Sequence, residues 1–173
     1  MKPNSLHEML HAEADAYRGD DDRPLAAYSG LMAVYGTVVL GAAAAARVTR
    51  RTLPAPGPWD VTLNALAAHQ LARLIAKDPV TSPLRAPFTR FAGTSGPAEL
   101  EEEVRGTGAR KAVGEMLTCP FCIGLWVATA CTAGGVFAPR ATRLATATFA
   151  ALAGADFLQY ARAAVGRAAE GRS

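Results

Sequence analysis

Half of this 173-residue chain is hydrophobic and only 19% is charged, against roughly a quarter charged in an average soluble domain. Together with a positive mean hydropathy, that balance points away from an ordinary water-soluble fold, and the length suits one domain. The formal net charge of +3 is spread over flanking positions, so the clustered basic patch with stacking aromatics needed for nucleic-acid binding is excluded.

Residues 1–23 are polar, with no apolar core of a cleavable signal, and are expected to form a soluble N-terminal tail. Ser5-Leu6-His7-Glu8 fits a capping box, and Leu6, Leu10 and Tyr17 recur near helical spacing. A short amphipathic helix is therefore predicted, ended at Gly19. The membrane domain is expected over residues 24–165. Residues 24–46 carry no charge and predict a first span over 26–46, which would act as its own insertion signal and closes on Arg47, Arg50 and Arg51. Pro54, Pro56 and Pro58 then make a connector that cannot continue a helix.

Residues 59–77 read as a second helix, interrupted by Asp60, Asn64, His69, Gln70 and Arg73. It crosses a bilayer only if that polar face packs inside a bundle while Arg73 and Lys77 reach the interface. Otherwise it lies in the interface, and the chain has three spans instead of four. Residues 78–115, with four prolines and an acidic run at Glu99 and Glu101 to Glu103, are expected to be a loop. A third span is predicted over 117–138, then a short basic turn from Arg140 to Arg143. A fourth span is predicted over 144–161, with a basic tail over 166–173. The fold class expected is thus all-α: a polytopic helical bundle with the lipid bilayer as its solvent. With four spans the tails and the long loop share one side, which holds most of the basic residues. The positive-inside rule then places both termini in the cytoplasm.

Three groups of residues could carry chemistry. Cys119-Pro120-Phe121-Cys122 opens the third span. Pro120 falls in the first turn, where its missing N–H costs nothing. Two cysteines three apart there share a face, the geometry of a dithiol couple or of half a metal site. No cofactor is required; the alternative is zinc or another soft metal on Cys119 and Cys122, with His69 as the conceivable third ligand. A plain packing role at a tight helix start is the competing reading. Asp156, in the middle of the fourth span, is costly in lipid and should face the bundle interior, where His69 and Arg73 are its expected partners. His7-Glu8-Met9-Leu10-His11 matches the H-E-x-x-H zinc-hydrolase pattern, but nothing around it supplies a third ligand or a cleft, and chance is the better reading.

From about residue 59 to 160 the chain resembles a bacterial family known as domain of unknown function 1360. The resemblance rests on the run from His69 to Asp78, on Val80-Thr81-Ser82-Pro83-Leu84-Arg85, on the block from Gly114 to Trp126 that contains the cysteine pair, and on Ala155-Asp156-Phe157-Leu158. Met116 and Ile123 stand where leucines are usual. The resemblance implies an integral protein of the bacterial plasma membrane, with some relatives associated with sporulation, and no reaction or substrate. Two functions follow: a non-enzymatic membrane component assembling with another membrane protein or a second copy of itself, or a membrane thiol protein centred on Cys119 and Cys122.

Overall fold

The computed structural model describes residues 5–19 and 22–170. They are mostly helical, with one small two-stranded sheet among them. The helices are α1 (Leu6–Arg18), α2 (Leu25–Val48), α3 (Pro58–Lys77), α4 (Ser82–Arg85), α5 (Gly108–Thr118), α6 (Pro120–Phe137) and α7 (Pro139–Glu170). The strands β1 (Thr89–Gly96) and β2 (Glu99–Val104) lie between α4 and α5.

α1 begins where Ser5 Oγ accepts the Glu8 N–H at 3.2 Å, and Leu6, Leu10 and Tyr17 stand exposed along it. At the start of α3 Pro58 occupies the first turn, and the Asp60 carboxylate accepts the Gly57 N–H at 3.1 Å. α3 is the central helix, packed most extensively against α6 and α7. Ala68, Ala72 and Ala76 recur every fourth residue, which sets them in one stripe. That stripe meets Ile123 and Val127 of α6. Small residues let the two backbones approach closely: a methyl added at Gly124 would touch the Ala72 methyl at 3.9 Å.

Polar residues that interrupt α3 in the sequence find partners across the bundle. Asn64 donates to Thr132 Oγ1 at 3.3 Å, Gln70 donates to Asp156 at 2.8 Å, and Arg73 pairs with Glu99 of β2. α2 is held at separate points, by Tyr28 on Glu115, by Tyr35 on Thr129 at 2.8 Å, and by an edge-on contact of the Tyr35 and Trp126 rings.

Several expectations are corrected. Residues 78–115 are not an irregular loop, and the chain is not all-α. They fold into a 3-10 turn (Pro79–Thr81), α4, an antiparallel hairpin and α5. The hairpin turns at Pro97 and Ala98, the latter in the left-handed region at φ 58°, where glycine is the usual residue. Register runs from Thr89 opposite Val104 to Gly96 opposite Glu99, with irregularities after Phe91 and after Thr94. Along β2 burial alternates, so Leu100, Glu102 and Val104 face inward while Glu101 and Glu103 face water. Arg140 and Arg143 do not form a loop: α6 ends at Phe137, Ala138 is the joint, and both arginines lie in the first turns of α7. α7 then continues to Glu170, so most of the expected basic tail is helix.

Of the four expected spans, α2 and α6 are long and apolar enough to cross a membrane by length and composition. α3 and α7 do not meet that measure, because polar residues such as Asn64, His69, Gln70 and Arg73 in α3 and Asp156 and Gln159 in α7 interrupt them.

Candidate functional site

The best-built polar centre is one that the sequence pattern does not reveal. Arg85, the last residue of the four-residue α4, is fully buried, and Glu102, with which it forms an ion pair, is only 6% exposed. The guanidinium also donates to the Ile75 carbonyl at 2.6 Å, to Thr81 Oγ1 at 2.7 Å and to the Asp78 carbonyl at 3.1 Å. Two of these acceptors are carbonyls at the C-terminal end of α3, where the helix leaves its last carbonyls without internal partners. Their partial negative charge favours a cation there. Asp78 prepares the geometry: its side chain accepts the Val80 N–H at 2.7 Å and turns the chain, while Thr81 donates back to the Leu74 carbonyl at 2.6 Å. Thr89, also buried, donates to the Arg85 carbonyl at 3.0 Å. One side chain therefore ties α3, α4 and the hairpin into a cap on the bundle. The signal in the sequence is the inward register of Leu100, Glu102 and Val104, masked because a glutamate reads as surface.

The hairpin in turn rests on α5. A methyl added at Gly114 would fall 2.7 Å from Val104 Cγ1 and 3.2 Å from the Phe88 carbonyl, so glycine is required there for the close approach.

Cys119 is at once the last cap of α5 and the N-cap of α6. Its sulfur accepts the Cys122 N–H at 3.3 Å, a task usually given to serine, threonine, aspartate or asparagine. Cys119 is half-buried, Cys122 is exposed, and both are free thiols, as is Cys131 deeper in α6. His69 stacks on Phe157 of α7, with ring centroids 6.4 Å apart. It also borders a cleft of about 330 Å³ that Pro120 and Phe121 help to line. Among the described residues no three His, Cys, Asp or Glu side chains are grouped to hold a metal. The side chains of His7 and His11 lie outside the described residues.

Asp156 does not meet the partners expected for it. Gln70 takes its carboxylate, because Gln70 and Asp156 stand level on the α3–α7 interface. His69, one residue earlier, faces Phe157. Arg73, one turn beyond His69, pairs with Glu99. The α3–α7 seam thus carries two rungs, the Gln70–Asp156 hydrogen bond and the His69–Phe157 stack.

These features coincide with a family match. Residues 63–162 fit the model of the family described as "Protein of unknown function (DUF1360)". The chain belongs to that family. It is similar to a protein named sporulation protein YjcA from Bacillus subtilis (strain 168), with 37% identity over 71 residues, 39% of this chain and 60% of that protein. The matched segment therefore spans under two thirds of the relative's length. No solved structure matches.

Proposed function

We propose that the protein is a non-enzymatic, multi-pass component of a bacterial plasma membrane, built as a four-helix bundle of α2, α3, α6 and α7 under a hydrophilic cap. One observation carries this reading: the apolar residues face the wrong way for water. Among the described residues ten hydrophobic ones are buried and eight of these are alanines, while Met32, Leu40, Phe121, Leu125, Leu144, Phe157 and Leu158 all stand exposed. The accessible surface is 12211 Å², where a compact water-soluble chain of 18.0 kDa would expose about 8,000 Å². A core of alanines yields little hydrophobic stabilisation in water, whereas close helix packing over small residues is how bundles associate in lipid. Pairing of Gln70 with Asp156 supports α3 and α7 as spans, since it satisfies two polar side chains with each other at a part-buried place.

The charged cap stands with the basic residues of its flanks, which by the positive-inside rule puts it and both termini in the cytoplasm. The relative's name supplies sporulation as the process, which spore counts in a deletion strain test separately. Fractionation of expressing cells tests the membrane reading. The protein should stay in the pellet through alkaline carbonate and dissolve only in detergent. Release by carbonate would refute an integral location. A membrane-impermeant maleimide should label Cys122 in opened membranes but not in intact spheroplasts.

The thiol reading is the alternative, favoured by the exposed Cys122 beside Cys119 in one first turn. Metal analysis and thiol titration of purified protein, against Cys119→Ser with Cys122→Ser, decide it. Bound zinc or unusually reactive thiols would support it.

A further inference from the structure

We propose that the cleft between α3 and the start of α6 holds the phosphate of an anionic phospholipid, an inference that rests on the membrane reading above. His69, Arg73 and Lys77 follow one another at four-residue spacing on α3, and all three line the cleft. Ala68, Ala72 and Gly124 leave it open, and its volume of about 330 Å³ falls in the range of small-ligand sites. Arg73 is engaged by Glu99. The Lys77 ammonium, by contrast, has no hydrogen-bonding or ionic partner among the described residues. With Glu99 set against Arg73, one positive charge remains, which matches the single negative charge of a phosphodiester.

Position argues for a lipid over a free anion. The cleft opens at the first turn of α6, the head of a candidate span. Phe121 on its rim is 94% exposed, and Leu125, one turn further along α6, is exposed as well. They form an apolar track leading from the charged cleft in the direction of the hydrocarbon, which an acyl chain uses and inorganic phosphate does not. The N-terminus of α6 adds partial positive charge at the same level.

The full chain in detergent micelles is titrated with short-chain phosphatidylglycerol and, separately, phosphatidylcholine, and retained lipid is read by native mass spectrometry. Phosphatidylglycerol should be retained in preference. Lys77→Gln should weaken that retention on the order of five-fold, Lys77→Arg should keep it, and Arg140→Gln at the far end of α6 should leave it unchanged. Circular dichroism checks that each variant is folded. Equal retention of both lipids, or equal losses in Lys77→Gln and Arg140→Gln, overturns the site. Displacement of the lipid by millimolar inorganic phosphate would overturn the lipid assignment in favour of a free-phosphate site. A protein that stays in membranes but shows no lipid preference refutes this inference alone; one released by carbonate refutes the membrane reading with it.

Discussion

Replacing Arg85 with alanine tests the cap at its centre. The change strands a nearly buried Glu102 carboxylate and removes the donor shared by the Ile75 carbonyl, the Asp78 carbonyl and Thr81. Breaking a buried pair from one side costs about 3–5 kcal/mol, because the remaining charge is left uncompensated. That is a large part of a stability of roughly 5–15 kcal/mol, and here it falls on the cap first. Limited digestion with a glutamate-specific protease reads it directly, since Glu99 and Glu101 to Glu103 lie on β2. Arg85→Ala should be cut at the hairpin under conditions where the native chain is not, while the bundle helices stay together. Arg85→Lys should fall between the two, because one ammonium cannot span acceptors arranged for a planar fork. Arg85→Met combined with Glu102→Leu should recover much of the loss, as apolar replacement of both partners often does. Arg90→Ala is the control: its pair with Glu103, at 2.7 Å, is exposed on both sides and should contribute no more than about 1 kcal/mol. Equal, small effects of Arg85→Ala and Arg90→Ala would show that the Arg85 pair is not a buried lock.

Other substitutions test the remaining contacts. Gly114→Ala should lower the unfolding midpoint by the equivalent of about 1–3 kcal/mol, despite alanine's better helix propensity, because its methyl meets the Phe88 carbonyl and Val104; a stabilised variant would place the hairpin further from α5. Gln70→Leu and Asp156→Leu should each cost about 0.6–1.7 kcal/mol in micelles, and the double variant less than their sum; strict additivity would mean that the two side chains do not meet. Cys119→Ser should preserve stability by keeping a cap acceptor, while Cys119→Ala should lose about 0.5–2 kcal/mol by thermal unfolding. Were serine as damaging as alanine, the sulfur would have a role that a hydroxyl cannot fill, and the thiol alternative would gain.

Helices with long uncharged runs were legible, because composition alone marks α2 and α6. The hairpin was not. Its turn carries Pro97 and Ala98 where Asn-Gly or Asp-Gly would announce one, and four acidic residues in β2 imitate a solvated loop. Glu102 differs from Glu101 and Glu103 in facing inward, to a partner, Arg85, that lies 17 residues away. A single sequence offers no local sign of such a pairing. The cysteine pair was visible, and its spacing suggested chemistry; the structure adds the backbone task of Cys119 at the joint of α5 and α6. Helical spacing gives the face of α3 but not its rotation against α7, so it does not separate Gln70, which donates to Asp156, from its neighbour His69.

Several of the residues that carry the family resemblance gather at the junction of cap and bundle. Asp78, Thr81 and Arg85 close the end of α3, Gly114 seats α5 on the hairpin, and Cys119 with Pro120 turns α5 into α6. Asp156 stands apart from them, at the rung with Gln70. Here the most buried charge, Arg85, spends its donors on Glu102, Thr81 and the carbonyls of its own chain, and the Cys119 sulfur spends its acceptor capacity on a helix N–H. Groups satisfied in this way fix the angle at which α3, α5 and α6 meet. The contact surface left over is the cap's outer face, with Glu101, Glu103 and Arg90 turned to water, and the apolar outer faces of α2, α6 and α7. Under the membrane reading proposed above, these outer faces are where a second protein or a second copy of the chain would dock, with the junction of cap and bundle holding them at a fixed angle.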